Sequence, residues 1–151
     1  MSAVLSDGTP INRDSIIAMI AAILAPTNPG STIITDSVTS DRLTDFLEKD
    51  LGLKHLCYMR GYKNVINKCK ELNAEDINSP LAMETSGHGC LKENYYLDDG
   101  AFLAVKLVIA VANAAREGKT IDHLIAGLST QYEAREVRFK ILTEDFHAYG
   151  K

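Results

Sequence analysis

Apolar residues along the chain follow two rhythms, one of helical period and one of short compact runs. Ile16, Ile17, Ile20 and Leu24 recur at helical spacing and predict a helix over residues 13–25 with one buried face. Asn12 stands where an N-cap belongs, with Ile11 and Ile16 at the spacing of a hydrophobic staple. Pro26 and Asn28-Pro29-Gly30 end that helix. Residues 31–36 (STIITD) are β-branched and compact, which predicts a buried strand. Ser40 then caps a helix over residues 41–51, with Leu43, Phe46, Leu47 and Leu51 on one side. Gly52 fits the position just past its end, where positive φ costs glycine little.

The alternation continues. Residues 55–59 (HLCYM) read as a second strand, ended by Gly61, and residues 62–72 resume helical spacing through Val65, Ile66 and Cys69. After a polar connection, residues 81–84 read as a short third strand leading into a glycine loop. Residues 91–97 are aromatic enough for a strand without being periodic. Asp98 or Asp99 caps a long helix to about Glu117, and its apolar positions Phe102, Val105, Leu107, Val108, Ile109 and Val111 cover much of its circumference. A helix apolar nearly all round belongs at the centre of the packing. Thr120 caps a further short helix, and residues 132–142 read as a fourth strand or an extended linker. Short buried strands between helices predict an α/β fold: three α/β/α layers, a mostly parallel mixed sheet of about four strands, and helices on both faces.

Composition narrows this picture only slightly. A chain of 151 residues suits one domain and buries about two-thirds of its unfolded surface. A net charge of -4 gives no reason to expect nucleic acid or an anionic membrane as partner. The longest apolar run, residues 16–25, is too short to span a bilayer, and no secretory signal opens the chain. Cys57, Cys69 and Cys90 form no Cys-x-x-Cys pair, so reduced thiols and a cytoplasmic setting are the expectation.

Chemistry concentrates in residues 83–100 (METSGHGCLKENYYLDDG). Glu84, Ser86 and His88 are interleaved with Gly87 and Gly89, after a strand and before a helix. That is where an α/β protein presents a ligand site, although a polar turn with local hydrogen bonds would look the same. A hydrolase triad is disfavoured, because Glu84-Thr85-Ser86-Gly87-His88 lacks the Gly-x-Ser-x-Gly elbow. Zinc is disfavoured, because nothing completes the ligand set of His88 and Cys90. Asp98-Asp99 reads better as a helix cap than as a magnesium site. His55, His123 and His147 read as packing or surface residues without partners. Lys63, just inside a helix that follows Gly61, is either a phosphate-facing lysine or a solvated one.

Together, Glu84-Thr85-Ser86-Gly87-His88, Lys92-Glu93, Asp98-Asp99-Gly100 and Gly61-Tyr62-Lys63 resemble the third domain of the α-D-phosphohexomutase superfamily, the phosphomannomutases and phosphoglucomutases. The family loop is Gly-Glu-x-Ser-Gly-His, and the opening Leu5-Ser6-Asp7-Gly8 also looks like the start of that domain. The likeness runs to about Gln131, which makes residues 1–131 the sugar-binding domain and 132–151 a linker with the start of the next. Two positions depart from the pattern: Met83 stands where the family usually has glycine, and Arg60 where many members have threonine.

The resemblance implies part of an enzyme that interconverts hexose 1- and 6-phosphates through a bisphosphate. The phosphoserine, the Mg2+ loop (Asp-x-Asp-x-Asp-Arg) and the phosphate clamp lie in the family's other domains, and none of these motifs occurs here. The expected partners are therefore a hexose phosphate and the remaining domains, and the isolated chain is expected to be inactive. By resemblance Glu84 and Ser86 bind the sugar 3- and 4-hydroxyls within the Gly87 loop, His88 contacts phosphate or sugar, and Lys63 assists proton transfer. The rival reading is a non-catalytic sugar-phosphate binding module of the same fold.

Overall fold

Every residue of β3 (Thr32–Asp36) is buried, because this strand is covered on both faces. Side chains alternate along a strand, so Ile33 enters one apolar core and Ile34 the other. The computed structural model describes residues 3–5, 7–11 and 13–129, together with 137 and 142. The predictions for Ser6, Asn12 and residues 132–136 and 138–141 lie outside the described residues.

Three strands join β3 in a sheet of order β4-β3-β5-β6. β4 (Lys54–Tyr58) and β5 (Leu81–Met83) pair with it in parallel, with Ile34 opposite Leu56 on one side and Ala82 on the other. β6 (Gly89–Leu91) closes the far edge antiparallel to β5, in the register Ala82 to Cys90 and Met83 to Gly89. This confirms the mostly parallel mixed sheet. The strand in the ambiguous region is β6, and it begins two residues earlier than the 91–97 stretch proposed for it. A separate ribbon pairs β1 (Ala3–Val4) with β2 (Pro10–Ile11) around the Asp7-Gly8 turn.

One face of the sheet carries α1 (Asp14–Leu24), α2 (Asp41–Asp45) and α4 (Gly100–Arg116), with Ile17, Ile20, Leu43, Leu47, Leu81 and Leu103 in a shared core. The other face carries α3 (Tyr62–Ala74), which packs Val65, Ile66, Cys69 and Leu72 onto Ile34, Ala82 and Cys90. The central helix is α1, with nine of its eleven residues buried. The expectation that α4 is central is corrected here: it buries only Leu103, Leu107 and Ala114, while Val105, Val108, Ile109 and Val111 are exposed. Its apolar circumference is wider than the stripe that meets the sheet.

Three local details differ from the reading of the sequence. The 41–51 helix changes to a π turn over Phe46–Asp50, where Leu51 N–H donates to the Phe46 carbonyl at 3.1 Å, before Gly52 exits at φ 64°. Ser40 holds the cap position of α2, but its hydroxyl makes no cap bond and donates instead to Asp14 Oδ2, tying the start of α1 to α2. Thr120 likewise makes no side-chain cap for the 3-10 turn Ile121–Ile125.

Candidate functional site

The carboxyl ends of β3, β4 and β5 converge. Asp36 ends β3, Arg60 and Gly61 follow β4, and Glu84 follows β5. The chain leaves β3 for one face of the sheet and β4 for the other, the switch beside which open α/β sheets place their ligands.

The loop itself is a tight connection between β5 and β6. Glu84 N–H donates to the His88 carbonyl at 2.8 Å, and Gly87 N–H to the Glu84 carbonyl at 2.9 Å, with Gly87 at φ 91°. The hairpin register explains Met83. A Cβ on Gly89 would lie 2.9 Å from Met83 Cγ and 3.1 Å from the Ala82 carbonyl oxygen. Met83 is fully buried, so its side chain fills the space that the missing Gly89 side chain leaves. The small residue of this pair stands on the partner strand, and the backbone before Glu84 is held by a paired β residue.

Glu84 is the buried floor of the site, 5% exposed. Its Oε1 accepts the Gly61 N–H at 2.6 Å, which fastens the loop to the first turn of α3. Its Oε2 lies 3.4 Å from Ser86 Oγ, a donor, and Ser86 Oγ lies 3.1 Å from His88 Nδ1. Ser86 and His88 are both exposed. The serine thus sits between carboxylate and imidazole, whereas a hydrolase triad needs the imidazole in the middle. The arrangement sets a carboxylate, a hydroxyl and a ring nitrogen in one hydrogen-bonded row.

The structure brings the two phosphate-side candidates together through a third residue. The Tyr62 ring stacks on His88, with centroids 5.5 Å apart at 25°, and Lys63 Nζ lies 5.9 Å from the same ring. Tyr62 is recognisable in sequence only as the residue between Gly61 and Lys63. Asp36 gave no sequence signal beyond ending a strand. It is 1% exposed, and it accepts from Thr85 N at 3.2 Å and from Thr85 Oγ1 at 3.0 Å, so it fixes the residue between Glu84 and Ser86.

Asp98 and Asp99 act as hydrogen-bond acceptors for the backbone. Asp99 Oδ1 accepts from Ala101 N and Phe102 N at 3.0 Å each, and these bonds hold its carboxyl below the usual carboxylate range. Asp98 Oδ1 accepts from Gly89 N at 3.0 Å. These bonds engage Oδ1 of each carboxylate, the cap role read for Asp99, and among the described residues no group of three or more His, Cys, Asp or Glu side chains converges.

Two of the histidines read as lacking partners have them, and His147 lies outside the described residues. His55 is partnered: its Nε2 lies 2.8 Å from Thr35 Oγ1 and its Nδ1 2.8 Å from Thr44 Oγ1, and burial lowers its pKa. His123 Nδ1 meets the Thr120 carbonyl. Cys57 is an exposed thiol, while Cys69 and Cys90 are buried, and hydrogen bonding to Cys69 together with burial raises the pKa of Cys90. Two open clefts of about 320 and 420 Å³ lie elsewhere, one between α1 and α4 and one at the amino end of the sheet near Pro80 and Lys92. No described helix is long and apolar enough to cross a membrane.

Comparison with known proteins gives this arrangement a family. Residues 12–132 match the family model for phosphoglucomutase/phosphomannomutase, alpha/beta/alpha domain III. The chain is 26% identical over 145 residues to a phosphomannomutase/phosphoglucomutase of Pseudomonas putida, covering 95% of this chain and 29% of the relative. It is 27% identical over 131 residues to a phosphoglucomutase of Neisseria gonorrhoeae, covering 86% of this chain and 27% of the relative. A solved phosphoglucomutase/phosphomannomutase family protein of Burkholderia thailandensis superposes with a TM-score of 0.69 at 28% identity, over 85% of this chain and 26% of that one. An N-acetylphosphoglucosamine mutase of Aspergillus fumigatus, 15% identical with a TM-score of 0.58 over 85% of this chain and 32% of that one, shares the fold. The chain thus spans under a third of the length of the relatives it matches.

Proposed function

The chain belongs to the phosphoglucomutase/phosphomannomutase family as its α/β/α domain III, and on that premise we propose that it holds the sugar of a hexose phosphate during a mutase reaction. The observation that carries the reading is Glu84, a buried carboxylate with one oxygen fixed by Gly61 N–H and the other beside the exposed Ser86 hydroxyl. Glu84 Oε2 accepts a hydrogen bond from one sugar hydroxyl, and Ser86 Oγ exchanges one with its neighbour. These are the 3- and 4-hydroxyls, which lie between the two phosphate-bearing ends and can be gripped in either orientation. Glucose and mannose share them and differ at C2, so one loop accepts both.

In the full reaction a phosphoserine passes its phosphoryl group to the free sugar hydroxyl, giving a bisphosphate. The bisphosphate turns over and returns its other phosphoryl group to the serine. Catalysis of such a step rests on positioning and charge stabilisation. The phosphoserine and Mg2+ belong, in this proposal, to other domains of a longer polypeptide, as the family resemblance implies, and Asp98 and Asp99 here serve backbone N–H groups. This chain contributes orientation. Lys63 and His88, both against the Tyr62 ring, face the phosphate side; Lys63 assists proton transfer and His88 contacts phosphate or sugar. A cytoplasmic setting goes with the proposal, three free thiols being at home in a reducing compartment.

The test is a coupled mutase assay on glucose 1-phosphate, mannose 1-phosphate and glucosamine 1-phosphate, using the complete polypeptide that carries this sequence. Turnover that falls sharply in Glu84→Gln supports the reading. Turnover that is absent with all three sugars, or unchanged in the variant, contradicts it. The 151-residue chain alone is expected to show none.

A further inference from the structure

Asp36 is a buried carboxylate whose only cationic neighbour among the described residues is Arg60, with Arg60 Nε 4.0 Å from Asp36 Oδ2. Both Asp36 oxygens already take bonds from Thr85. A carboxylate so deep is stable only with such compensation, and the guanidinium supplies the charge part of it. The Arg60 side chain is nonetheless 68% exposed. Its Nε faces Asp36, and no acceptor among the described residues engages its two terminal nitrogens. The result is a guanidinium steered from behind by a buried anion, with its two-pronged edge turned to solvent.

Arg60 also immediately precedes Gly61, whose N–H holds Glu84 Oε1 at 2.6 Å, and its own carbonyl accepts from Asn64 Nδ2 at 2.7 Å. The side chain therefore starts from a backbone pinned at two adjacent points beside the sugar-holding carboxylate. Lys63 and His88 both meet the Tyr62 ring two residues on, Glu84 holds the Gly61 N–H, and Asp36 lies against Arg60. An oxyanion is repelled from Glu84 and drawn to the guanidinium, which matches phosphate geometry with two parallel N–H donors.

We propose that Arg60, oriented by Asp36, is a phosphate-recognising specificity residue of this site: it takes the phosphate of a hexose phosphate whose hydroxyls rest on Glu84 and Ser86. The inference rests on the sugar-holding reading above and adds to it a charged anchor that fixes which end of the ligand points where. Asp36 is a positioning residue, acting through Arg60 and Thr85 without touching ligand.

The experiment is a pair of amide chemical-shift titrations on the 151-residue chain, with glucose 1-phosphate and with neutral methyl α-D-glucoside. The readout is the ratio of the two affinities. In Arg60→Gln the preference for the phosphorylated ligand falls about tenfold, the loss of one charge-assisted contact, while glucoside binding is unchanged. Arg60→Lys, which keeps a cation beside Asp36 but loses the fork, lies between wild type and Arg60→Gln. It also serves if Arg60→Gln folds poorly. An unchanged ratio in both variants, with wild type binding both ligands, overturns the role of Arg60 and leaves the sugar-holding reading standing. Wild type binding neither ligand overturns both.

Discussion

The pairing of Met83 with Gly89 can be tested by a double-mutant cycle. Gly89 lies in a strand and needs no positive φ, so replacing it with alanine is purely a question of space. The new methyl would sit 2.9 Å from Met83 Cγ, 3.1 Å from Met83 Cβ and 3.1 Å from the Ala82 carbonyl oxygen. The methionine cannot swing away, being fully buried, and the carbonyl belongs to the strand ladder. Overpacking of this kind costs roughly 1–3 kcal/mol. Met83→Ala alone opens a cavity and costs about 2–5 kcal/mol. In the double variant Cγ is gone, so the closest clash disappears and the methyl introduced by Gly89→Ala enters the space it vacated. The contacts to the carbonyl and to Cβ remain, so relief is partial. The double variant should be more stable than the sum of the single effects by about 1–2 kcal/mol. Equilibrium urea unfolding at constant m measures all four corners. Additivity to within about 0.5 kcal/mol would refute the claim that these two positions share one space.

Three further outcomes follow from the same geometry. Glu84→Ala strips the Gly61 N–H of its charged acceptor and should cost about 1–3 kcal/mol while the chain stays folded, read by thermal melting; a larger collapse would make Glu84 primarily structural. His55 is held below its ordinary pKa of 6.5 by burial, so the unfolded chain binds its proton first. Its contribution is therefore complete above that value and is lost as pH falls toward the folded pKa; urea midpoints at pH 7.5 and 5.5 should diverge, and His55→Asn should narrow the gap. Val108 is 67% exposed on α4, so Val108→Lys should change stability by no more than about 0.5 kcal/mol, and a loss of 2 kcal/mol or more would mean that this face is covered.

Much of this architecture can be read from local pattern, because β3, β4, α1 and α3 each carry their own period. β6 could not be read that way. It is three residues opened by a glycine, and only its register with Met83 makes it a strand. Hydropathy found the apolar circumference of α4 but could not tell which part meets the sheet, since burial depends on neighbours that the helix does not encode. Ser40 sits at a cap position, yet its partner is Asp14, distant in sequence. The same limit applies to His55, whose hydroxyl partners come from β3 and α2. Within the site, Glu84, Ser86, Gly87 and His88 were legible because they are consecutive and chemically dense. Asp36 and Tyr62 were not, because each joins the loop only when three strand ends converge.

In the proposed function the Glu84 loop grips the hydroxyls that glucose and mannose have in common. Its most direct test is amide chemical-shift titration of this chain with three sugar 1-phosphates: glucose, mannose and galactose, the last inverted at C4. Saturable shifts centred on Gly61, Glu84, Ser86 and His88, with glucose and mannose alike and galactose about tenfold weaker, are the predicted result. Equal binding of all three, or shifts gathered at the cleft near Pro80 and Lys92 at the opposite end of the sheet, would contradict it.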